Sequence, residues 1–177
     1  MIGFFFVCHS PHSLFICIFA AYNFTLCFNA MMEHSSKLMN RAADNIRVLV
    51  ASMVEKAKSG HPGGAMGGAD FINVLYSEFL TFDPKDPTWE CRDRFFLDPG
   101  HMSPMLYSIL MLCERFTMED LKQFRQWDSV TPGHPERNVE RGIENTSGPL
   151  GQGHVYAVGA AIAAKALYAR TGNPGFK

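Results

Sequence analysis

At 177 residues the chain has the length of one domain, and its 47% hydrophobic content is enough for a buried core. A net charge of −1 and an isoelectric point near 6.6, with no basic stripe, argue against nucleic acid as the main partner but leave room for a small phosphorylated ligand. The five cysteines (Cys8, Cys17, Cys27, Cys91 and Cys113) are odd in number and contain no CxxC pair, so reduced thiols in a cytoplasmic protein are expected rather than a disulfide framework or a cysteine zinc site.

Residues 1–30 contain no Lys, Arg, Asp or Glu and are rich in Phe, Ile, Cys and Leu. No basic segment precedes the apolar run, as a signal peptide requires. Pro11, His9 and His12 break the run into pieces shorter than a membrane span needs. Residues 1–35 are therefore read as an apolar leader outside the domain, from a start assigned upstream of Met31, Met32 or Met39, and residues 36–177 as the domain.

From Ser36 the pattern becomes helical. Ile46, Leu49, Val50, Met53, Val54 and Ala57 share one helix face, and Gly60 is a stop signal. A second helix is expected over 69–80, burying Ile72, Leu75 and Phe79. Asp83-Pro84-Lys85-Asp86-Pro87 breaks the chain into a polar loop. Arg94-Phe95-Phe96-Leu97 reads as a buried strand running into Pro99. Ser103-Pro104 supplies an N-cap and a first-turn proline for a helix through Leu106, Ile109, Leu110 and Cys113. Thr117-Met118-Glu119-Asp120 reads as a capping box with Asp in place of Glu. A long loop covers about 127–147, with Glu140 to Thr146 as a surface charge cluster. Gly148-Pro149-Leu150 opens a last helix, rich in Ala and Gly, that ends near Arg170. The fold class is α/β, the opening portion of a doubly wound parallel sheet, mostly helical in this stretch.

Every histidine after His34 follows a glycine: Gly60-His61, Gly100-His101, Gly133-His134 and Gly153-His154. Glycine lets backbone approach a ligand closely, and imidazole handles protons near neutral pH. His101, just past the expected strand, stands where open α/β sheets bind ligands. His134 lies in the long loop, and His154 reads as structural, within the last helix. The spacings of 40, 33 and 20 residues match no local zinc pattern. Gly148-Pro149-Leu150-Gly151-Gln152-Gly153 would place a helix N-terminus, with its free amides, against a phosphate; close helix packing is the alternative. Arg92-Asp93-Arg94 could meet a phosphate or form a salt-bridged edge.

Taken together, these segments resemble the N-terminal part of the transketolase family. The resemblance is carried by Arg47 with Lys58-Ser59-Gly60-His61-Pro62-Gly63-Gly64 and Met66-Gly67; Arg92-Asp93-Arg94-Phe95 through Gly100-His101; Phe124-Arg125-Gln126; Thr131-Pro132-Gly133-His134-Pro135-Glu136; and Gly148 to Gly153. It covers about residues 39–170. It implies a homodimeric thiamine-diphosphate enzyme of the pentose phosphate pathway that moves a two-carbon ketol unit from a ketose phosphate to an aldose phosphate. On this resemblance His101 lies by the cofactor diphosphate, His61 and His134 line the substrate channel, and Gly148, Pro149 and Leu150 hold the cofactor through backbone contacts. The Mg²⁺ ligands, in a Gly-Asp-Gly motif, and the glutamate that activates the aminopyrimidine are expected beyond residue 177, so the chain reads as a fragment inactive alone. A related synthase, for deoxyxylulose phosphate or dihydroxyacetone, and a non-catalytic remnant are the alternatives. Thr131 to Glu136 favours transketolase over the first of these.

Overall fold

The computed structural model describes residues 21–173, with side chains from residue 35 onward. All of the expected apolar leader but Ser35 therefore falls outside the residues whose side chains are described. The chain divides between Leu38 and Met39 into two units. Residues 21–38 are helical, forming the opening of α1 (Ala21–Ala57). The second unit contains the rest: α2 (Pro62–Gly67), α3 (Ala69–Val74), α4 (Ser103–Leu112), α5 (Met118–Lys122) and α6 (Gln152–Thr171). No described helix is long and apolar enough to cross a membrane.

α4 is the centre of the second unit, buried from Ser103 to Leu110. Ala43, Ile46, Val50 and Met53 of α1, Ala69 and Ile72 of α3, and Phe116, Leu121, Phe124 and Ile143 complete the core. The α1 face read from periodicity is thus the face that is buried, because residues three and four apart stand over one another on a helix. Asn73 is buried beside it and donates from Nδ2 to the Met39 carbonyl at 3.1 Å. The expected second helix is shorter than its pattern. It ends at Val74 and continues as a π-type turn, Leu75–Phe79, which leaves Phe79 at the surface instead of in the core.

The capping box forms as read. Thr117 Oγ1 accepts from the Asp120 amide at 3.1 Å, and Asp120 Oδ2 accepts from the Thr117 amide at 2.8 Å. Burial alone would push the Asp120 carboxyl up. The amide and hydroxyl of Thr117, together with the Arg141 guanidinium, outweigh that effect and hold it below the usual carboxylate range. Ser103, expected to cap α4, does not do so: it is the first helical residue, and its hydroxyl points elsewhere.

No strand occurs among the described residues, so the doubly wound sheet is not seen. Residues 93–97 have no regular secondary structure and no ladder partner. At the end of this run a side chain takes the ladder's place. Buried Asn145 accepts from the Leu97 amide at 3.2 Å and donates from Nδ2 to the Leu97 carbonyl at 3.4 Å, satisfying both backbone groups as a neighbouring strand would. Residues 140–146 are accordingly a surface cluster only in part: Glu140 and Thr146 are exposed, but the segment turns inward between them. Ile143 and Asn145 are buried, and Glu144 forms an ion pair inside the protein with Arg92. Asn145→Ala is expected to cost about 2 kcal/mol, because it strands two buried backbone groups at once; urea unfolding of the variant checks this.

α6 stands largely exposed, with Val155, Val158 and Ile162 each more than half accessible and nothing within 4 Å of where a Gly159 Cβ would sit. Close packing along its small-residue face is therefore absent among the described residues.

Candidate active site

Three of the four Gly-His steps converge. His61 precedes α2 in an extended conformation, and His101 sits in a 3-10 turn, Gly100–Met102, that runs into α4. Their ring centroids are 4.8 Å apart. His134 faces both. Loss of hydration, then the Arg125 charge, then His101 and His61, push its imidazole below the ordinary range. At neutral pH His134 is thereby held uncharged, able to donate at one ring nitrogen and accept at the other.

The loop carrying His134 has no regular structure of its own, and α4 fixes it. Ser103 Oγ donates to the Gly133 carbonyl at 2.7 Å, and the Tyr107 hydroxyl donates to the Pro132 carbonyl at 2.8 Å. Ser103 and Tyr107 are four residues apart and so lie on one face of the helix. Burial pushes the Tyr107 hydroxyl far above its usual range, keeping it a donor at any physiological pH. Thr131, fully buried, donates to the Asp120 carbonyl at 2.8 Å. The Ser147 amide donates to the Pro135 carbonyl at 3.1 Å, which joins this loop to the segment opening α6.

Gly148, Pro149 and Leu150 lie at the rim of this arrangement, Pro149 and Leu150 exposed. Ser147 Oγ, just before them, is buried with no hydrogen-bond partner, and the space a Gly148 Cβ would fill is open. An unsatisfied hydroxyl beside an open backbone segment is suited to a polar ligand. A phosphate at the start of α6, as read from the glycines, is another matter. Asp98 Oδ1 already accepts from the Gly151 amide at 3.1 Å, and its carboxylate sets negative charge at that terminus. An anion fits better on the imidazole side. Among the described residues no group of three or more His, Cys, Asp and Glu is placed to hold a metal ion.

The fourth step lies within the last helix and ties structure together through a polar contact. The His154 imidazole is 81% exposed, and Nδ1 is hydrogen-bonded to Asp98 Oδ2. The pair ties residues 97–98 to the first turn of α6, where Gly153 lies against the Leu97 carbonyl. Sequence reasoning missed Asp98, Ser103, Tyr107 and Ser147. The only signal was the four-residue spacing of Ser103 and Tyr107 on an otherwise apolar helix.

The family profile described as transketolase, thiamine diphosphate binding domain, matches residues 38–177. Transketolase-1, chloroplastic, of Arabidopsis thaliana is 50% identical over 141 residues, covering 78% of this chain and 19% of that protein. Transketolase 1 of Escherichia coli (strain K12) is 52% identical over 134 residues, 75% of this chain and 20% of that protein. Among solved structures, transketolase from Leishmania mexicana matches with a TM-score of 0.71 at 46% identity, covering 77% of this chain and 21% of that one. The chain thus spans about a fifth of the length of the curated relatives it matches.

Proposed function

From the chain's membership of the transketolase family, through the thiamine diphosphate binding domain, we propose that it forms part of a ketol-transfer site moving a two-carbon unit from a ketose phosphate to an aldose phosphate. The observation that carries this reading is the meeting of His61, His101 and His134, brought from three separate loops to one place beside Gly148 to Leu150. When bound, thiamine diphosphate supplies the carbanion that breaks and remakes the bond next to a ketose carbonyl.

The chain's own residues bind and handle protons. His101 follows the buried Gly100, which lies against Ser147, and is assigned to the diphosphate. Uncharged His134 can accept a hydroxyl proton at its free ring nitrogen and return it. His61, its ring tilted against that of His101, donates to a substrate hydroxyl or carbonyl oxygen. The backbone of Gly148, Pro149 and Leu150 holds the cofactor. Mg²⁺, with ligands outside residues 1–177, belongs to the same reading, as do a homodimeric assembly, a cytoplasmic location, a leader over residues 1–35 and completion of a parallel sheet by further chain.

A chimera tests the reading. Residues 39–173 replace the matching segment of the Escherichia coli enzyme, and transfer of a labelled two-carbon unit is followed with thiamine diphosphate and Mg²⁺. The chimera is expected to be active. His101→Ala in it is expected to weaken cofactor binding, and His134→Ala to lower turnover by 10²-fold or more, within the range for a general acid–base residue. A folded chimera without transfer, or histidine variants with unchanged rates, would overturn the proposal.

A further inference from the structure

Arg125 lies between the loops that carry His61 and His134 and belongs to neither. It follows α5 with its backbone in the left-handed region, φ 61°, where side chains other than glycine are uncommon. Its amide donates to the Thr131 carbonyl at 3.0 Å. From there Nη1 donates to Ser59 Oγ at 2.8 Å, two residues before His61. The rest of the guanidinium lies flat on Gly133, the residue before His134: a Cβ at that glycine would come 2.6 Å from Nε and 2.8 Å from Cζ. Nε is buried there without a hydrogen-bond partner, and Cζ is 5.7 Å from the Phe124 ring centroid. An unusual backbone conformation and an unsatisfied buried nitrogen are both unfavourable, so the arrangement persists because the surrounding structure enforces it.

We infer that Arg125 is a positioning residue, whose guanidinium clasps the His61 loop to the His134 loop and places a fixed positive charge beside the three imidazoles. The groups that face His134 electrostatically are Arg125, His101 and His61. Of these only the guanidinium keeps its charge at every accessible pH. It therefore biases His134 toward the neutral form throughout the range in which the other two titrate. Ser59, Arg125, Gln126, Pro132, Gly133 and His134 line a shared cleft, so the clasp forms one wall of the approach to His134.

The importance of the clasp for catalysis rests on the ketol-transfer reading. The clasp itself is measured without cofactor or substrate, so failure of one is distinguishable from failure of the other. On the full 177-residue chain, histidine titration by NMR and amide hydrogen exchange are read for three variants. Arg125→Met is expected to raise the His134 pKa, because a positive charge that disfavours the imidazolium is removed, and to speed exchange at His61 and His134. Arg125→Lys keeps the charge but loses the fork, so His134 titrates as in the parent while both loops exchange faster. Gly133→Ala pushes the flexible guanidinium aside with one methyl group and is expected to loosen the same two loops. It carries the test together with Arg125→Lys if Arg125→Met fails to fold. An unchanged His134 titration in Arg125→Met, or unchanged exchange in all three variants, would refute the clasp.

Discussion

Gly100→Ala is expected to destabilise the protein by on the order of 3 kcal/mol, the upper end for overpacking a filled interior. Gly100 is buried, and a Cβ on it would come 2.4 Å from the Ser147 carbonyl oxygen and 2.8 Å from its carbon. Neither is the free end of a side chain that could swing away. Ser147 is itself fully buried and fixed through its amide to Pro135. The added methyl therefore has to move a backbone held from its other side. The displaced elements are the His101 turn and the segment opening at Gly148, so cofactor affinity in the chimera should fall with stability. Gly63→Ala is the control, since a Cβ there meets nothing within 4 Å. It lies inside α2, so it should be neutral or slightly stabilising. Urea midpoints of the two variants decide the matter: equal midpoints would mean that the contact between Gly100 and Ser147 is not tight.

Arg92→Met should cost more, about 3–5 kcal/mol, because it leaves a buried carboxylate without its counter-charge. The two side chains are 8% and 9% exposed, with Nε 2.7 Å from Glu144 Oε1. Arg92 also donates from Nη1 to the carbonyls of Thr88, at 3.2 Å, and Trp89, at 2.7 Å. One side chain thus fastens the turn after the Asp83-Pro84 loop to the segment that carries Glu144 and Asn145. Replacing both partners, Arg92→Met with Glu144→Leu, should recover much of the loss, since an apolar pair of similar volume removes the stranded charge. A double-mutant cycle on unfolding free energies gives the coupling directly. If the double variant is as unstable as the sum of the singles, the pair is not coupled and the premise fails.

The parts of this molecule that were legible in the sequence are those whose cause is local. The burial of Ile46, Val50 and Met53 follows from helical spacing, the Thr117–Asp120 box from four consecutive residues, and the end of α6 from Gly172. The positions of His61, His101 and His134 were marked by the glycines before them. What could not be read depends on polar partners far apart in the chain. Asn145 standing in for a strand beside Leu97, Arg92 meeting Glu144, and Arg125 reaching Ser59 join residues 48 to 66 positions apart, which no periodicity records. Asn145 and Glu144 were read into a surface cluster because polar side chains usually lie there, Arg92 was read at a phosphate or a salt-bridged edge with no partner named, and Arg125 and Ser59 only as parts of the family motifs. Phe79 was misplaced for the opposite reason: its spacing was helical, but the helix changed its winding at Leu75 before reaching it.

The side-chain anchors on the His134 loop determine when the site can move. A loop tied by its own turns can open while the domain under it stays folded. This one is tied at two consecutive carbonyls to Ser103 and Tyr107, residues at the centre of the core. With the Arg125 tie intact, His134 is fully freed only when the inner face of α4 lets go. The site should therefore stay rigid on warming until the core yields, and loosening of the site and melting of the protein become one event.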